Sequence, residues 1–336
     1  MSAAGDGRST LTAVPGLEVG HADDPQARTG CTAILGPFRG AVEVRGQATG
    51  TRELDALSPL HVVPRCDALL LTGGSAFGLA AADGVVRWLE ERGRGFATPA
   101  ARVPVVPAAV LYDLSVGDAS VRPDPAMGHR AAGAAGTGPV AEGAVGAGTG
   151  ATVGKLRGGD SGEDGGLGSA ADVDDGPAVG ALAVVNAFGD VVDAGGRIVA
   201  GARDGEGAFL DTERAIREGE APSGFGEPPG SAGGPGVGPR RPGGAGPAGL
   251  NTTLAVVATD APLDARALRR VARRAAHGLV RRVRPAATPF DGDVVFAVST
   301  AESAREVAID EVLRIGLRAQ EALERAIERA VRGGVG

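Results

Sequence analysis

Residues 221–250 carry Gly or Pro at 18 of 30 positions. Proline lacks a backbone donor and glycine has no side chain to pack, so neither a helix nor a central strand can cross this stretch. The composition predicts a flexible linker over 219–250 that divides the chain into two unequal parts. Directly behind it comes NTTLAVVATD (251–260), whose threonine, leucine and valine content reads as a strand. A hydroxyl residue thus stands at the seam between a slack segment and a core strand. Taken alone, this is a loop entering an ordinary strand. As chemistry, breaking the Asn251–Thr252 bond would give Thr252 a free α-amine beside its own hydroxyl, an arrangement that makes the hydroxyl a nucleophile.

The 336 residues suffice for one large domain or two, and an apolar content of 43% can fill a substantial core. Aromatics are only 3%, with Trp88 and Tyr112 single, so Val, Leu and Ala must do the packing. A net charge of −7 argues against nucleic acid or an anionic membrane as partner. No apolar run approaches the ~20 residues of a membrane helix, and MSAAGDGRST has neither the basic nor the apolar region of an export signal. Cys31 and Cys66 belong to no metal-ligand spacing. The expectation is a cytoplasmic protein with two reduced thiols.

Segment 10–49 reads as a short β-meander, and CDALLLTGG (66–74) as a buried strand ending in a glycine turn. In the following SAFGLAAADGVVRWLEERG, Phe77, Leu79, Ala81, Val85, Val86 and Leu89 form a helical stripe, with Ser75 as N-cap and Gly93 as stop. VPVVPAAVLYDL (103–114) is apolar but broken by prolines, as in an irregular or edge strand. Residues 143–178 are glycine-rich and end in an acidic low-complexity piece. VGALAVVNAFGDVVD (179–193) reads as a buried strand and turn, and a short helix is expected near 207–218. Asp260 is expected to cap an arginine-laden helix over 262–283, DGDVVFAVST (291–300) to form another strand, and 302–332 a long amphipathic helix. Strands and helices mix without steady βαβ alternation, which fits a layered α+β sandwich.

Among candidate motifs, GTGATVGK (148–155) fails the phosphate-loop pattern, because Thr149 replaces the first glycine and Leu156 the hydroxyl residue. GGSAFG (73–78) has Phe77 where a nucleophile elbow needs glycine. His21, His61, His129 and His277 share no ligand spacing, and Asp172, Asp174 and Asp175 lack an EF-hand's downstream glutamate, so they read as a solvated loop; neither a metal nor a cofactor is implied. The eight arginines from Arg266 to Arg284 have no interleaved aromatics and read as a solvated or interface helix. Thr252 remains. Its own amine, with a pKa near 8, could serve as base at neutral pH. Asn186, set in the apolar run ALAVVNAFG, is either a strand-end amide bonding a turn or a donor aimed at an oxyanion. Tyr112 is either packing with a satisfied hydroxyl or a second donor.

TAVPGLEVGHADD, TGCTAILGP, VRGQATGTRELDAL, DALLLTGGSAFGLAAADGV, VPVVPAAVLYDL, GAGTGATVGK, VNAFGDVVD, NTTLAVVATDA and FDGDVVFA follow one another over about residues 12–302. In this order they resemble the DmpA-type L-aminopeptidase/D-esterase family, whose relatives include β-peptidyl aminopeptidases and a pantetheine hydrolase. The resemblance implies an α-β-β-α four-layer sandwich, similar in its layers to N-terminal-nucleophile hydrolases, and a single hydrolase domain over 1–336. It also implies one self-cleavage at Asn251–Thr252, giving an α chain 1–251 and a β chain 252–336 that assemble as tetramers of such pairs. Thr252 would then form an acyl-enzyme with a small peptide, amide or ester substrate. Asn186 matches the family's oxyanion asparagine and Tyr112 its active-site tyrosine. Asp291 and Asp293 match the region of polar groups that support the nucleophile, although Asp-Gly is also turn chemistry; Thr253 is the neighbouring hydroxyl that could substitute. The alternative is an unprocessed homologue acting as a binding or scaffold protein.

One position departs from the family pattern. Aminopeptidase members carry a glutamate two residues before the tyrosine to hold the substrate's ammonium group, and here that position is Val110. Valine cannot pair with an ammonium. Turnover of alanine p-nitroanilide is therefore expected to be weak or absent beside that of amide or ester substrates lacking a free α-amine, and kinetics matching a dedicated aminopeptidase would overturn this.

Overall fold

The computed structural model describes residues 9–158, 162–173, 176–220 and 251–333. The linker expected over 219–250 lies, from residue 221 on, outside them. Nine strands carry the architecture: β1 (Glu18–Asp24), β2 (Thr29–Val44), β3 (Gly50–Arg52), β4 (Cys66–Thr72), β5 (Ala108–Val110), β6 (Gly166–Asp172), β7 (Val179–Asn186), β8 (Thr252–Thr259) and β9 (Val294–Ser299). They form a hydrogen-bonded path in the order β6-β7-β8-β9-β2-β4-β5-β3, with β1 beside β2. The 16-residue β2 serves two neighbourhoods: Arg39–Val44 pair with β9, and Cys31–Phe38 with β4. Its register with β4 shifts between Leu35 and Phe38, across Pro37, which has no N–H to donate. The path thereby folds over on itself as two facing sheets.

Period-two alternation assigns each strand face to its layer. Leu182, Val184, Leu254, Val256, Val294 and Phe296 meet Ile34, Leu69, Leu71 and Ala109 of the opposite sheet. The alternate residues Ala181, Ala183, Ala255, Val257, Val295 and Ala297 pack instead under α3 (Ala265–Arg282) and α4 (Ile309–Val331). On the other side, Cys31, Ala33, Leu35, Ala68 and Leu70 pack under α1 (Ala81–Glu90) and α2 (Pro125–Gly133). Three apolar layers between four structural layers make the expected α-β-β-α sandwich. The outer helix pair α1/α2 is close because Gly84 and Gly128 face it: a Cβ on Gly84 would lie 1.8 Å from the Pro125 carbonyl oxygen, and one on Gly128 1.8 Å from that of Ala81. Among the described residues no helix is long and apolar enough to cross a membrane.

Several local expectations are corrected. The α3 cap is Asp264, whose carboxylate accepts from Ala267 N at 2.7 Å, because Pro262 disfavours helical backbone at Ala261 just before it and so bars a start at Asp260. Ser75 is not an N-cap. It opens a one-turn helix, Ser75–Gly78, at φ 53°, with Gly74 before it at φ 80°. That turn is pinned by bonds from Gly74 N to Asp113 Oδ1 (2.7 Å) and Ser75 N to the Leu111 carbonyl (2.9 Å), and Phe77 points outward, 58% exposed. The glycine-rich acidic stretch contains the edge strand β6, and Asp172, expected in a solvated loop, pairs with Arg318 at 2.9 Å. Asp174 and Asp175 lie outside the described residues. The early meander is one hairpin, β1–β2, and the short helix spans Thr212–Arg217. The last helix begins only at Ile309, because the carbonyls of Ala301 and Glu302 are taken by the guanidinium of Arg39.

The arginine-rich helix is not wholly solvated either. Arg282 is buried and bonds Glu324 at 2.6 Å and Glu328 at 2.8 Å, tying α3 to α4. Removing one partner of a buried pair strands the other's charge. Arg282→Met should lower the unfolding free energy by about 3 kcal/mol in chemical denaturation, and a loss no larger than that of an exposed pair such as Arg314→Met would contradict this account.

Candidate active site

Three neighbouring strands place polar residues at one end of their sheet. Thr252 opens β8, Asn186 closes the antiparallel β7 directly opposite it, and Asp293 immediately precedes the parallel β9. A parallel bridge, Asn251–Asp291, lies three residues beyond the first β8–β9 pair, Leu254–Val294, in the same register. All five residues are buried. Tyr112 reaches the same place from the facing sheet, just beyond β5, and its carbonyl accepts from Asn186 Nδ2 at 3.0 Å. The site therefore occupies the open end of the gap between the two sheets.

The Asn251–Thr252 peptide is held closely. The Thr252 hydroxyl donates to the Asn251 carbonyl oxygen at 2.6 Å, and Gly292 N–H donates to the same oxygen, also at 2.6 Å. A side chain at Gly292 would put its Cβ 2.7 Å from both Thr252 Oγ1 and the Ala48 carbonyl oxygen, so only glycine permits this approach. Asn251 N bonds the Phe290 carbonyl at 3.1 Å, and Thr253 N bonds Asp293 Oδ1 at 2.6 Å. The bond between residues 251 and 252 is thus fixed from both sides. Thr253 itself points the other way, toward the α3/α4 layer, and its hydroxyl has no partner among the described residues.

The surrounding electrostatics are unusual for a buried site. Burial lowers the Lys155 pKa to about 7, against the pull of Asp291 and Asp113 in the other direction. Its ammonium bonds Asn186 Oδ1 at 2.7 Å, and that same oxygen accepts Thr152 N at 3.0 Å. Asn186 is therefore engaged on both ends of its amide. Asp293 is pushed up to about 8 by burial and then by neighbouring Asp291, against the N–H groups of Thr253 and Ala287. Asp291, also raised by burial, is held by the hydroxyl and N–H of Thr288. Asp291 thus acts on both groups, drawing Lys155 toward its charged form and pushing Asp293 toward its neutral one.

Of the residues singled out from the sequence, the structure brings together Thr252, Asn251, Asn186, Asp291, Asp293 and the backbone of Tyr112. It turns Thr253 away. Sequence reading missed Lys155 and Gly292. Lys155 lies inside GTGATVGK, which does not match the phosphate-loop pattern. A signal was available: it is the only lysine among 34 basic residues. A buried lysine, unlike a guanidinium, can lose its proton near neutral pH. Val110 is buried and faces Gly50 across the β3–β5 pair.

The model of peptidase family S58 matches residues 9–334. An uncharacterized aminopeptidase of Mycobacterium tuberculosis is 44% identical over 303 residues, 87% of this chain and 81% of the relative. The 6-aminohexanoate-oligomer endohydrolase of a Kocuria species is 32% identical over 304 residues, 88% of this chain and 76% of that protein. Among solved structures, a Burkholderia β-aminopeptidase superposes with a TM-score of 0.68 at 24% identity, covering 98% of this chain and 88% of its own. The L-aminopeptidase D-Ala-esterase/amidase of Ochrobactrum anthropi, described as a variant of the Ntn hydrolase fold, gives 0.67 at 22% identity, covering 98% and 87%. By its sequence over nearly its whole length, the chain belongs to peptidase family S58.

Proposed function

We propose that the chain cuts its own Asn251–Thr252 bond and then hydrolyses amide bonds with the freed Thr252 as nucleophile. The observation that carries this reading is the 2.6 Å contact of the Thr252 hydroxyl with the Asn251 carbonyl, an oxygen that also receives Gly292 N–H. In self-cleavage Thr252 Oγ adds to the Asn251 carbonyl carbon, and the oxyanion gathers on the oxygen that Gly292 already bonds. The C–N bond then breaks, the nitrogen leaves protonated as the new α-amine, and water hydrolyses the resulting ester to an Asn251 carboxylate and a free hydroxyl. Lys155, bonded to Asn186 across the strand pair from Thr252, is the group that takes the hydroxyl proton in this first step. In turnover the new amine of Thr252 is the nearer base.

In the catalytic cycle the same hydroxyl attacks the substrate carbonyl, the amine product leaves, and water releases the acid. Asn186 supplies the oxyanion donor, with Tyr112 on the opposite wall. Val110 offers no carboxylate for a substrate ammonium, which favours amides without a free α-amine. Oligoamide cleavage, the activity in the name of the Kocuria relative, is consistent with that choice. The processed chains 1–251 and 252–336 remain one domain and assemble as tetramers of such pairs in the cytoplasm.

Intact-mass measurement of the purified protein is expected to show two chains parting before Thr252. Thr252→Ala should leave a single 336-residue chain that folds normally; continued cutting would transfer the role to Thr253, and an uncut wild type would favour a scaffold. Self-cleavage should quicken as pH rises through about 7, since Lys155 is lowered to that value and acts only when neutral. Lys155→Arg, permanently charged, should slow cleavage about 100-fold or more and abolish the inflection; an unchanged profile would remove Lys155 from the reaction.

A further inference from the structure

A second polar cavity lies outside this site. About 460 Å³ in volume, it opens between α3 and α4 and the end of β2, and is lined by Arg45, Arg274, His277, Val280, Arg281 and Gln320. Three buried side-chain atoms on this one lining have no hydrogen-bond partner among the described residues: Arg45 Nε, Arg274 Nε and Gln320 Oε1. Buried polar atoms are nearly always satisfied, so three orphans on the residues around one cavity single this place out. Arg45 Nε comes within 3.2 Å of Glu43 without the alignment of a hydrogen bond. Arg274 has no carboxylate partner among the described residues, only His277 Nδ1 at 3.5 Å.

The carboxylates near the cavity are already committed. Glu324 takes Arg282 at 2.6 Å, Gln320 Nε2 at 2.7 Å and Arg281 at 3.3 Å. Arg282 is further held by Glu328. Three guanidiniums thus converge on the cavity with less than matching negative charge, which calls for an oxyanion. Gln320 adds a second requirement. It is 2% exposed, its NH₂ group donates to Glu324, and its unpartnered Oε1 can only accept.

We propose that this cavity is a binding site for a small oxyanion that also carries a hydrogen-bond donor, hydrogen phosphate being the simplest. The anionic oxygens would lie on the arginines and the ligand's O–H on Gln320 Oε1. The site also touches the catalytic turn, because Arg45 N donates to the Asp293 carbonyl at 2.8 Å.

Inorganic phosphate and sulfate separate the two requirements, since at pH 7.5 phosphate carries a proton to donate and sulfate carries none. Isothermal titration of the purified protein should show saturable phosphate binding at least about tenfold tighter than sulfate. Arg274→Ala, at a partly buried position outside the catalytic residues, should weaken phosphate about tenfold or more while the circular dichroism stays unchanged. Gln320→Leu should erase the preference for phosphate while keeping anion binding. No saturable heat, equal affinity for the two anions, or unchanged affinity in Arg274→Ala would each overturn the proposal.

Discussion

The parallel pairing of β8 with β9 governs everything at the site. It runs from Leu254–Val294 to Thr259–Ser299 and continues through the Asn251–Asp291 bridge. Because of it, the start of one strand lies level with the Asp291–Gly292–Asp293 turn that begins the other. The bonds from Asn251 N to the Phe290 carbonyl and from Gly292 N to the Asn251 carbonyl are the outermost rungs of this ladder. A shift by one residue would send Thr252 to the helix layer and Thr253 into the gap between the sheets. A parallel pair also requires a crossover, supplied here by α3, which is why the arginine-rich helix lies where it does.

The second governing term is desolvation. The site is enclosed by two facing sheets, so its ionisable groups lose water without gaining full ion-pair partners. Lys155 moves down and Asp293 moves up, each toward neutral pH. Arg282, also buried, is instead matched by two glutamates, Glu324 and Glu328. The same burial thus produces a structural ion pair where partners match and a titratable centre where they do not.

Much of this was legible in the chain. The apolar alternation of 179–186, 252–259 and 294–299 announces strands with two buried faces, and the layered sandwich follows from strands mixed with two long amphipathic helices. The seam at Asn251–Thr252 stands out because a linker composition meets a strand composition with no gap between them. The single lysine is equally visible in the sequence, but it sits in a glycine-rich stretch that fits no phosphate-loop motif, and its burial is not a local property. What could not be read locally were choices made by distant partners. Helix α3 starts at Asp264 because of the proline rule, whereas α4 starts late because Arg39, some 260 residues away, holds the carbonyls of the preceding segment. The edge strand β6 has a glycine-rich, weakly strand-forming sequence and exists because β7 offers it an open edge.

The sequence by itself determined where strands and helices could lie, where the chain was slack, and which hydroxyl stood at the junction, because these rest on backbone restrictions and on side-chain periodicity within a few residues. Only the tertiary structure decided that Thr252 faces the gap between the sheets, that Gly292 donates to the bond before it, and that Lys155 and Asp293 are stripped of water. Those outcomes depend on groups brought together from 31 (Lys155–Asn186) to 66 (Asn186–Thr252) residues apart, and a carbonyl's donors or a lysine's solvation are set by what packs around them rather than by their neighbours in the chain.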